Sequence, residues 1–189
     1  MATLAAEDDV SALALRFAIL TAARTGEAIG ARWSEIDMDA ALWTVPAERM
    51  KARREHRVPL SDAAIDVLRD AAKLRKIKHD DAPVFPGRNG AVPLSNMALL
   101  MLLRRMERGD LTAHGFRSTF RDWCAESTNY PREVAEAALA HTLKDKTEAA
   151  YQRGDMMEKR RRLMVEWAAF CARPVRATGG EVVTMRASA

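Results

Sequence analysis

The sequence predicts an α+β domain that is mainly helical and carries one small antiparallel β-hairpin or sheet. Apolar residues recur at helical spacing over most of the chain, and two β-prone runs occur at 42–46 and 56–60. The chain has 189 residues, of which 48% are hydrophobic and 30% charged, the balance of a soluble globular protein with one core. We therefore expect one domain over residues 1–173. A tail over 174–189 is expected to be flexible or to dock on a neighbouring protomer.

The hairpin is predicted to lie between helices in the first half of the chain. Residues 10–23 are apolar on nearly every side, as expected for a helix that other helices surround. The run Arg24-Thr25-Gly26-Glu27 interrupts this pattern, and a short second helix is expected over residues 28–33. The two β-prone runs follow, and the polar, basic stretch between them predicts a hairpin with a long basic tip. Ser61 is a plausible N-cap of a helix to about residue 78, because apolar residues recur at positions i, i+3, i+4 and i+7.

The second half of the chain is predicted to be helical. A turn-rich loop is expected around residues 86–90, because Pro, Gly and Asn cluster there. Helices are then expected at about 95–108, 113–126, 131–140 and 156–172. The tail has no strong pattern, although residues 181–185 could form a strand on a neighbouring molecule.

Cysteine usage and the N-terminal residues bear on the compartment. The two cysteines, Cys124 and Cys171, lie far apart without Cys-x-x-Cys spacing, so neither a disulfide framework nor a zinc site is predicted. Charged residues interrupt the apolar stretch of residues 1–20, which predicts neither a signal peptide nor a transmembrane span. We therefore expect a cytoplasmic protein without a membrane partner.

Positive charge is concentrated in the predicted hairpin tip. The formal net charge of the whole chain is +4, which is too small to identify a partner. The tip contains five Lys or Arg side chains, namely Arg49, Lys51, Arg53, Arg54 and Arg57. The tip is either a solvated turn or a contact for nucleic-acid phosphates, whose neutralisation releases counterions.

Arg24 and Glu27 are the most informative pair outside the tip. They lie where the first helix is expected to open into a turn that contains glycine. A guanidinium at the edge of a core normally needs a carboxylate partner. The pair is therefore either structural, or a device in which Glu27 orients Arg24 toward a phosphate whose oxygens match its N–H donors.

Four further residues are ambiguous when each is considered alone. His114 and Arg117 are spaced to share a helix face and reach one anion, but a capping histidine beside a solvated arginine has the same spacing. His141 follows an apolar helix end and could simply cap its last carbonyls. Tyr151 is one of two tyrosines, and a tyrosine beside a basic residue is usually a packed ring with a hydrated hydroxyl group.

Together, these elements resemble the catalytic domain of the tyrosine recombinase (phage-type integrase) family in their order and context. The resemblance covers about residues 8–172 and rests on Arg24 in Ala-Arg-Thr-Gly-Glu, Lys51 in a hairpin, His114-x-x-Arg117, His141 in Ala-Leu-Ala-His-Thr, and Tyr151. Members of this family usually carry an additional N-terminal DNA-binding domain. Nothing before Val10 would supply one, so we expect an isolated catalytic domain.

The resemblance implies a site-specific recombinase that breaks and rejoins DNA strands. Tyr151 would attack a phosphodiester to give a 3′-phosphotyrosyl intermediate and a free 5′-hydroxyl group, with His114 as the base. Arg24, Arg117 and His141 would stabilise the negative charge on the phosphate. Lys51 would protonate the leaving 5′-oxygen.

Supporting roles follow for the remaining candidates. Glu27 would orient Arg24, and four arginines of the hairpin tip would contact DNA phosphates, namely Arg49, Arg53, Arg54 and Arg57. No cofactor or metal is expected, because the sequence lacks a set of Asp, Glu, Cys or His residues at ligand spacing. The implied partners are double-stranded DNA and other protomers, with a tetramer on paired sites and a monomer when free.

Three other kinds of protein are compatible with the same residues. A non-catalytic helical DNA-binding module would use the same arginines only to hold phosphates. A topoisomerase of the type IB kind would use the same tyrosine chemistry to relax supercoils. A helical protein-interaction domain would have no affinity for DNA.

Overall fold

The computed structural model describes residues 1–7, 9–141 and 155–174. In these ranges the chain forms eight α-helices and one three-stranded antiparallel sheet, which confirms the predicted fold class. The helices are α1 (Ala2–Ala5), α2 (Val10–Thr21), α3 (Thr25–Ile29), α4 (Asp62–Lys73), α5 (Ala98–Arg105), α6 (Ala113–Ser127), α7 (Arg132–Ala138) and α8 (Met157–Ala172). The strands are β1 (Ile36–Asp37), β2 (Leu42–Val45) and β3 (His56–Pro59). The strand expected at 181–185 falls outside the described residues.

Helix α2 lies at the centre of the domain. Its N-cap is Asp9, whose carboxylate accepts a hydrogen bond from the Ala12 amide at 2.8 Å. Helices α1, α3, α4, α5, α6 and α8 all contact α2. Buried side chains such as Leu15 and Phe17 therefore occur on every side of the helix, and the predicted surrounded helix is confirmed.

Helix α3 corrects one predicted boundary. The sequence indicated a turn at 24–27 and a helix over 28–33, whereas the helix spans Thr25–Ile29. Arg24 is its N-cap, and the Glu27 carboxylate accepts a hydrogen bond from the Arg24 amide at 3.1 Å. The first amides of a helix have no carbonyl partner within it, and the Glu27 carboxylate accepts from one of them. The helix can therefore begin at the point where the apolar pattern is interrupted.

The sheet has the strand order β1-β2-β3. Strands β2 and β3 form the predicted hairpin, in which Trp43 lies opposite Val58. Strand β1, where Ile36 pairs with Trp43, was not predicted because two residues are too few to show an alternating pattern. The fully buried Trp43 ring lies 5.0 Å from that of Phe17, so the sheet packs against α2.

The C-terminal helix α8 is fixed to the core by aromatic contacts. The Trp167 ring lies 5.2 Å from the ring of Phe120, edge-on, and 5.2 Å from that of Trp123. Its indole N–H donates a hydrogen bond to the Ile19 carbonyl at 2.8 Å. Helix α8 is thereby joined to both α2 and α6.

Helices α4 and α5 are shorter than predicted, whereas α6, α7 and α8 end within about two residues of their expected limits. The predicted cap of α4 is present, since the Ser61 hydroxyl accepts a hydrogen bond from the Ala64 amide at 3.4 Å. The residues after Lys73 are mostly exposed, so no packing supports the further turns expected up to residue 78. None of the helices that the structure describes is both long and apolar enough to cross a membrane.

Candidate active site

Arg24 and Glu27 form one wall of a cleft. In addition to the cap described above, Arg24 Nη1 donates a hydrogen bond to Glu27 Oε1 at 2.6 Å. Glu27 is buried, while 28% of the Arg24 side chain is exposed. Since the carboxylate fixes one edge of the guanidinium, the other N–H groups of Arg24 are held in place for a ligand.

Arg117 is a buried cation beside this pair. It lies in α6 with only 5% of its surface exposed. Its Nη1 donates a hydrogen bond to the Ala22 carbonyl at 2.5 Å, and its Nη2 donates one to the Leu139 carbonyl. Burial and the nearby Arg24 guanidinium lower the pKa of Arg117 to about 10, while Glu27 acts in the opposite direction. Arg117 therefore stays charged at neutral pH.

Arg24 and Arg117 lie near enough for their charges to interact. Two guanidinium groups repel each other, and burial strengthens this repulsion. Each terminal nitrogen of Arg117 carries a second N–H besides the one donated to a carbonyl. An oxyanion between the two groups would accept hydrogen bonds from both and relieve the repulsion.

The cleft beside Arg24 has a volume of about 490 Å³ and is shared with the hairpin tip. Its lining includes Arg24, Glu27, Lys51 and Arg53. The structure thus brings Lys51 and the Arg24–Glu27 pair to one cavity, although they are far apart in sequence. Five other predicted site residues that the structure describes lie outside this lining, namely Arg54, Arg57, His114, Arg117 and His141.

Arg49 holds the wall of the cleft. Its Nη1 pairs with the Glu35 carboxylate, and its Nη2 donates a hydrogen bond to the Glu27 carbonyl at 2.6 Å. Because its guanidinium is committed to these partners, we assign Arg49 to fixing α3 against the hairpin rather than to the expected phosphate contact.

The other cations of the hairpin tip have a different environment. Lys51, Arg53 and Arg54 are exposed, and none of them forms an ion pair with any residue that the structure describes. Arg57 is also exposed and pairs with Asp155, just before α8, at 3.4 Å. The tip therefore presents positive charge to solvent beside the cleft.

His114 lies in the first turn of α6. The N-cap of this helix is Thr112, whose hydroxyl accepts a hydrogen bond from the Gly115 amide at 3.0 Å. His114 is exposed, whereas Arg117, one turn later, is buried. The imidazole is thus accessible at the positive end of the helix that carries Arg117.

His141 lies three residues after the end of α7, in a Schellman motif. Ala140 adopts the left-handed conformation, with φ of +47°, and the His141 amide donates a hydrogen bond to the Glu136 carbonyl at 3.0 Å. The backbone therefore caps the helix, and the imidazole is not needed for this purpose. Instead, His141 Nδ1 lies 2.7 Å from Glu136 Oε2.

Two further side chains were not predicted, namely half-buried His56 and buried Arg160. His56 Nε2 donates a hydrogen bond to the Ala138 carbonyl at 3.3 Å, and burial together with nearby Arg160 lowers the pKa of His56 to about 4. Arg160 donates hydrogen bonds to the Arg57 carbonyl and, at 3.2 Å, to the Asp155 carbonyl. His56 and Arg160 thus join β3 to α7 and to the start of α8.

Tyr151 lies outside the described residues, so the structure gives no geometry for it. The other tyrosine, Tyr130, donates a hydrogen bond from its hydroxyl group to Glu166 at 2.6 Å. Burial and this contact raise the pKa of Tyr130 to about 12. Tyr130 is therefore a poor nucleophile at neutral pH.

Among the described residues, the cysteines and possible metal ligands form no second site. Burial raises the pKa of the free thiols of Cys124 and Cys171 to about 12, so both are protonated at neutral pH. Over residues 1–7, 9–141 and 155–174, no three His, Cys, Asp or Glu side chains are grouped so as to hold a metal ion.

Comparison with known proteins assigns the chain to a family. The model of the phage integrase family matches residues 1–158. Prophage integrase IntA of Escherichia coli (strain K12) is 38% identical over 152 residues, which cover 79% of this chain and 36% of that protein. Prophage integrase IntZ of the same strain is 40% identical over 156 residues, which cover 82% of this chain and 38% of that protein. The chain thus spans little more than one third of the length of these relatives.

A solved structure shows the same fold. The crystal structure of XerA recombinase superposes with a TM-score of 0.62 at 16% identity, covering 91% of this chain and 60% of that chain. The family match includes every predicted catalytic position, from Arg24 to Tyr151. The chain belongs to the phage integrase family.

Proposed function

We propose that this chain is the catalytic domain of a site-specific DNA recombinase that works through a 3′-phosphotyrosyl intermediate. The Tyr151 oxygen attacks the scissile phosphorus, the bond from phosphorus to the 5′-oxygen breaks, and the departing oxygen takes up a proton. Attack by the 5′-hydroxyl group of another strand reverses these steps. Because the phosphotyrosyl ester retains the energy of the phosphodiester, the exchange needs no ATP.

The observation that carries this proposal is that Arg24 lies near buried Arg117 and lowers its pKa. Cleavage places additional negative charge on the non-bridging oxygens of the phosphate, and fixed donors stabilise that charge without reorganising. Glu27 holds Arg24, and two helix-end carbonyls hold Arg117, which supports a role for both guanidinium groups as fixed donors. Such a preorganised donor typically contributes about 2.7–4 kcal/mol of transition-state stabilisation.

Proton transfer and the third phosphate contact are assigned to three other residues. Lys51 shares the cleft with Arg24 and is assigned to protonate the leaving 5′-oxygen. His114, exposed at the start of α6, is the candidate base for the tyrosine proton. His141 is assigned a hydrogen bond to the phosphate.

Tyr151 is the favoured nucleophile of the two tyrosines in the chain. The hydroxyl group of Tyr130 is committed to Glu166, and the raised pKa opposes its ionisation. Tyr151 also stands ten residues after His141, in the order on which the family resemblance rests.

The proposed partners are double-stranded DNA and further protomers. Exposed Arg53 and Arg54 suit non-specific contact with the phosphate backbone, and Arg57 can add to it from the base of the tip. Strand exchange needs paired sites, which implies assembly on DNA as a tetramer from free monomers. A cytoplasmic location is proposed with this function.

The decisive experiment traps the covalent intermediate. A nicked duplex lets the short cleaved fragment diffuse away, so a protein–DNA adduct accumulates and is resolved on a denaturing gel at low salt. We expect an adduct with wild type and with the Tyr130→Phe control, and none with Tyr151→Phe. An adduct that persists in Tyr151→Phe, or DNA binding without any adduct, contradicts the proposal. Relaxation of supercoils without strand exchange would instead indicate a topoisomerase.

The role of Lys51 has its own test. Lys51→Ala should slow cleavage of ordinary DNA, because the 5′-oxygen leaves without a proton donor. A substrate with sulfur at the bridging 5′-position has a better leaving group and should restore the rate. Equal losses on both substrates would exclude Lys51 as the general acid.

A further inference from the structure

Glu136 is a buried carboxylate that none of the assigned catalytic roles uses. It lies on α7 with 7% of its surface exposed. Acidic side chains are rarely buried unless they are paired. The partners of Glu136 therefore indicate what it does.

One carboxylate oxygen of Glu136 contacts the imidazole of His141. His141 Nδ1 lies 2.7 Å from Oε2. Burial raises the pKa of Glu136, but hydrogen bonds and charge from His141 and Arg121 outweigh it and lower this pKa overall. The ionised carboxylate can only accept a hydrogen bond, so Nδ1 must carry the proton and donate it.

The other carboxylate oxygen is held from the opposite side. Arg121 Nε, on α6, donates a hydrogen bond to Oε1 at 3.1 Å, and Arg132 Nε lies 3.9 Å away. The Glu136 carbonyl also accepts the hydrogen bond from the His141 amide that caps α7. The Glu136 carboxylate is thus held by arginines, and the His141 backbone is held by the cap of α7, so both partners of the Glu136–His141 contact are fixed.

We infer that Glu136 is a positioning residue, which orients the His141 imidazole so that Nε2 faces the scissile phosphate. This inference rests on the proposed function. With Nδ1 committed to Glu136, Nε2 is the one ring nitrogen left, and 36% of the His141 side chain is exposed. Arg117 donates a hydrogen bond to the Leu139 carbonyl in the same turn, two residues before His141.

Charge supports the same arrangement. Donation from Nε2 to a phosphate oxygen, while Nδ1–H is held by Glu136, requires a doubly protonated ring. The ionised Glu136 carboxylate balances the positive charge of that ring, as carboxylates do for ligand-bearing histidines elsewhere. In that state the Glu136–His141 pair would present an N–H donor to the phosphate with no net charge on the pair.

A double-mutant cycle on the cleavage rate tests the inference. At saturating DNA, we expect Glu136→Ala to slow adduct formation about 10–100-fold, the scale of losing an orienting carboxylate. Glu136→Gln keeps an acceptor and should lose less. In the His141→Ala background, Glu136→Ala should change the rate by less than about twofold, because nothing remains to be oriented.

Glu133→Ala removes an exposed carboxylate from the same helix and should leave the rate unchanged. If Glu136→Ala slows cleavage as much without His141 as with it, Glu136 acts through the fold or through Arg117, and the inference fails. Wild type that forms no adduct at all would instead refute the proposed function.

A second measurement needs no DNA cleavage, so it tests the inference even if wild type is inactive or a variant folds poorly. The chain has four histidines, so ring ¹⁵N spectra at pH 8 can be assigned with the help of His141→Asn. We expect wild-type His141 to carry a proton on Nδ1, and Glu136→Gln to change the His141 signals while leaving those of His79 unmoved. An unprotonated Nδ1 in wild type would overturn the inference.

Discussion

Arg117 is 5% exposed and donates to two backbone carbonyls, whereas Arg53 and Arg54 are exposed and form no ion pair within the described part of the chain. These groups carry the same charge in opposite environments. A buried, bonded guanidinium cannot move to meet a ligand, and its charge is weakly screened. An exposed guanidinium moves freely and is screened by salt.

This difference separates catalysis from binding. Fixed donors stabilise charge that develops at one point in space, which lowers the barrier of the chemical step. Mobile surface cations gain affinity wherever phosphates lie, because each contact releases counterions. We therefore expect substitutions in the buried region around Arg117 and His56 to change the cleavage rate and the stability of the fold. Substitutions of Arg53 and Arg54 in the tip should change the affinity for DNA.

The largest effect is expected for Arg117→Ala. It removes a fixed donor to the phosphate, so the rate of adduct formation should fall about 10²–10³-fold. Stability should also fall, because the Ala22 and Leu139 carbonyls lose their donor. Gel-resolved cleavage and urea unfolding measure the two effects. Arg69→Ala, which removes an exposed Arg69–Asp66 pair, is the control. An equal loss of rate in this variant would contradict the difference between buried and exposed arginines.

The pH dependence of stability tests the buried region next. The pKa of His56 is about 4 in the fold against 6.5 unfolded, so the unfolded chain binds more protons between these values. Stability is therefore full above pH 6.5 and is lost as pH falls toward 4, by roughly 3 kcal/mol for this group. Nearby Arg160 and Arg117 disfavour a charged His56, while Glu27 favours it.

Urea unfolding between pH 7 and 4 measures this loss against His56→Gln. The amide of glutamine can still donate to the Ala138 carbonyl but does not titrate. The variant should therefore lose less stability over that range than wild type. Parallel curves for the two proteins would show that His56 is not held neutral by the fold.

The affinity for DNA should depend on the exposed arginines of the hairpin tip. Replacing Arg53 and Arg54 together by Gln removes two exposed cations, so the slope of log K against log salt should fall by about 1.8. Cleavage at saturating DNA should be unchanged. Fluorescence anisotropy over a salt series measures the slope. A slope equal to that of wild type would mean that the tip does not contact phosphates.

The smallest effect is expected at the turn after α7. Ala140 has a φ of +47°, a conformation that costs a residue with a Cβ about 1 kcal/mol or more relative to Gly. Ala140→Gly should raise the free energy of unfolding by about 1 kcal/mol while keeping the His141–Glu136 contact. Thermal or urea unfolding measures the gain. A destabilised variant would indicate that the Ala140 methyl group packs usefully.

Much of the fold was predictable because its signals are local and repeated. The all-round apolar pattern of α2, the Ser61 cap and the two hairpin strands each recur over several residues. Strand β1 and the start of α3 were missed or misplaced, because one depends on pairing with a distant strand and the other on a single carboxylate.

The candidate site was predictable only as an ordered set of residues. The sequence placed Arg24, Lys51 and Arg117 in one site through the family resemblance, not through any pattern that shows their distances. It gave no signal for Glu136 or His56, because a Glu within a helix and a His in a basic stretch are usually exposed. Their partners lie on other elements and are defined only by the fold.

A single-turnover cleavage series over protein concentration compares the two regions in one assay, using wild type, Arg117→Lys and the Arg53→Gln/Arg54→Gln double variant. We predict that Arg117→Lys lowers the maximal rate about 100-fold or more, since a lysine cannot reproduce the fixed fork of donors. The double variant should raise the half-saturating concentration and keep the maximal rate. If Arg117→Lys changes only the half-saturating concentration, the buried arginine acts in binding, which would contradict its role in stabilising the transition state.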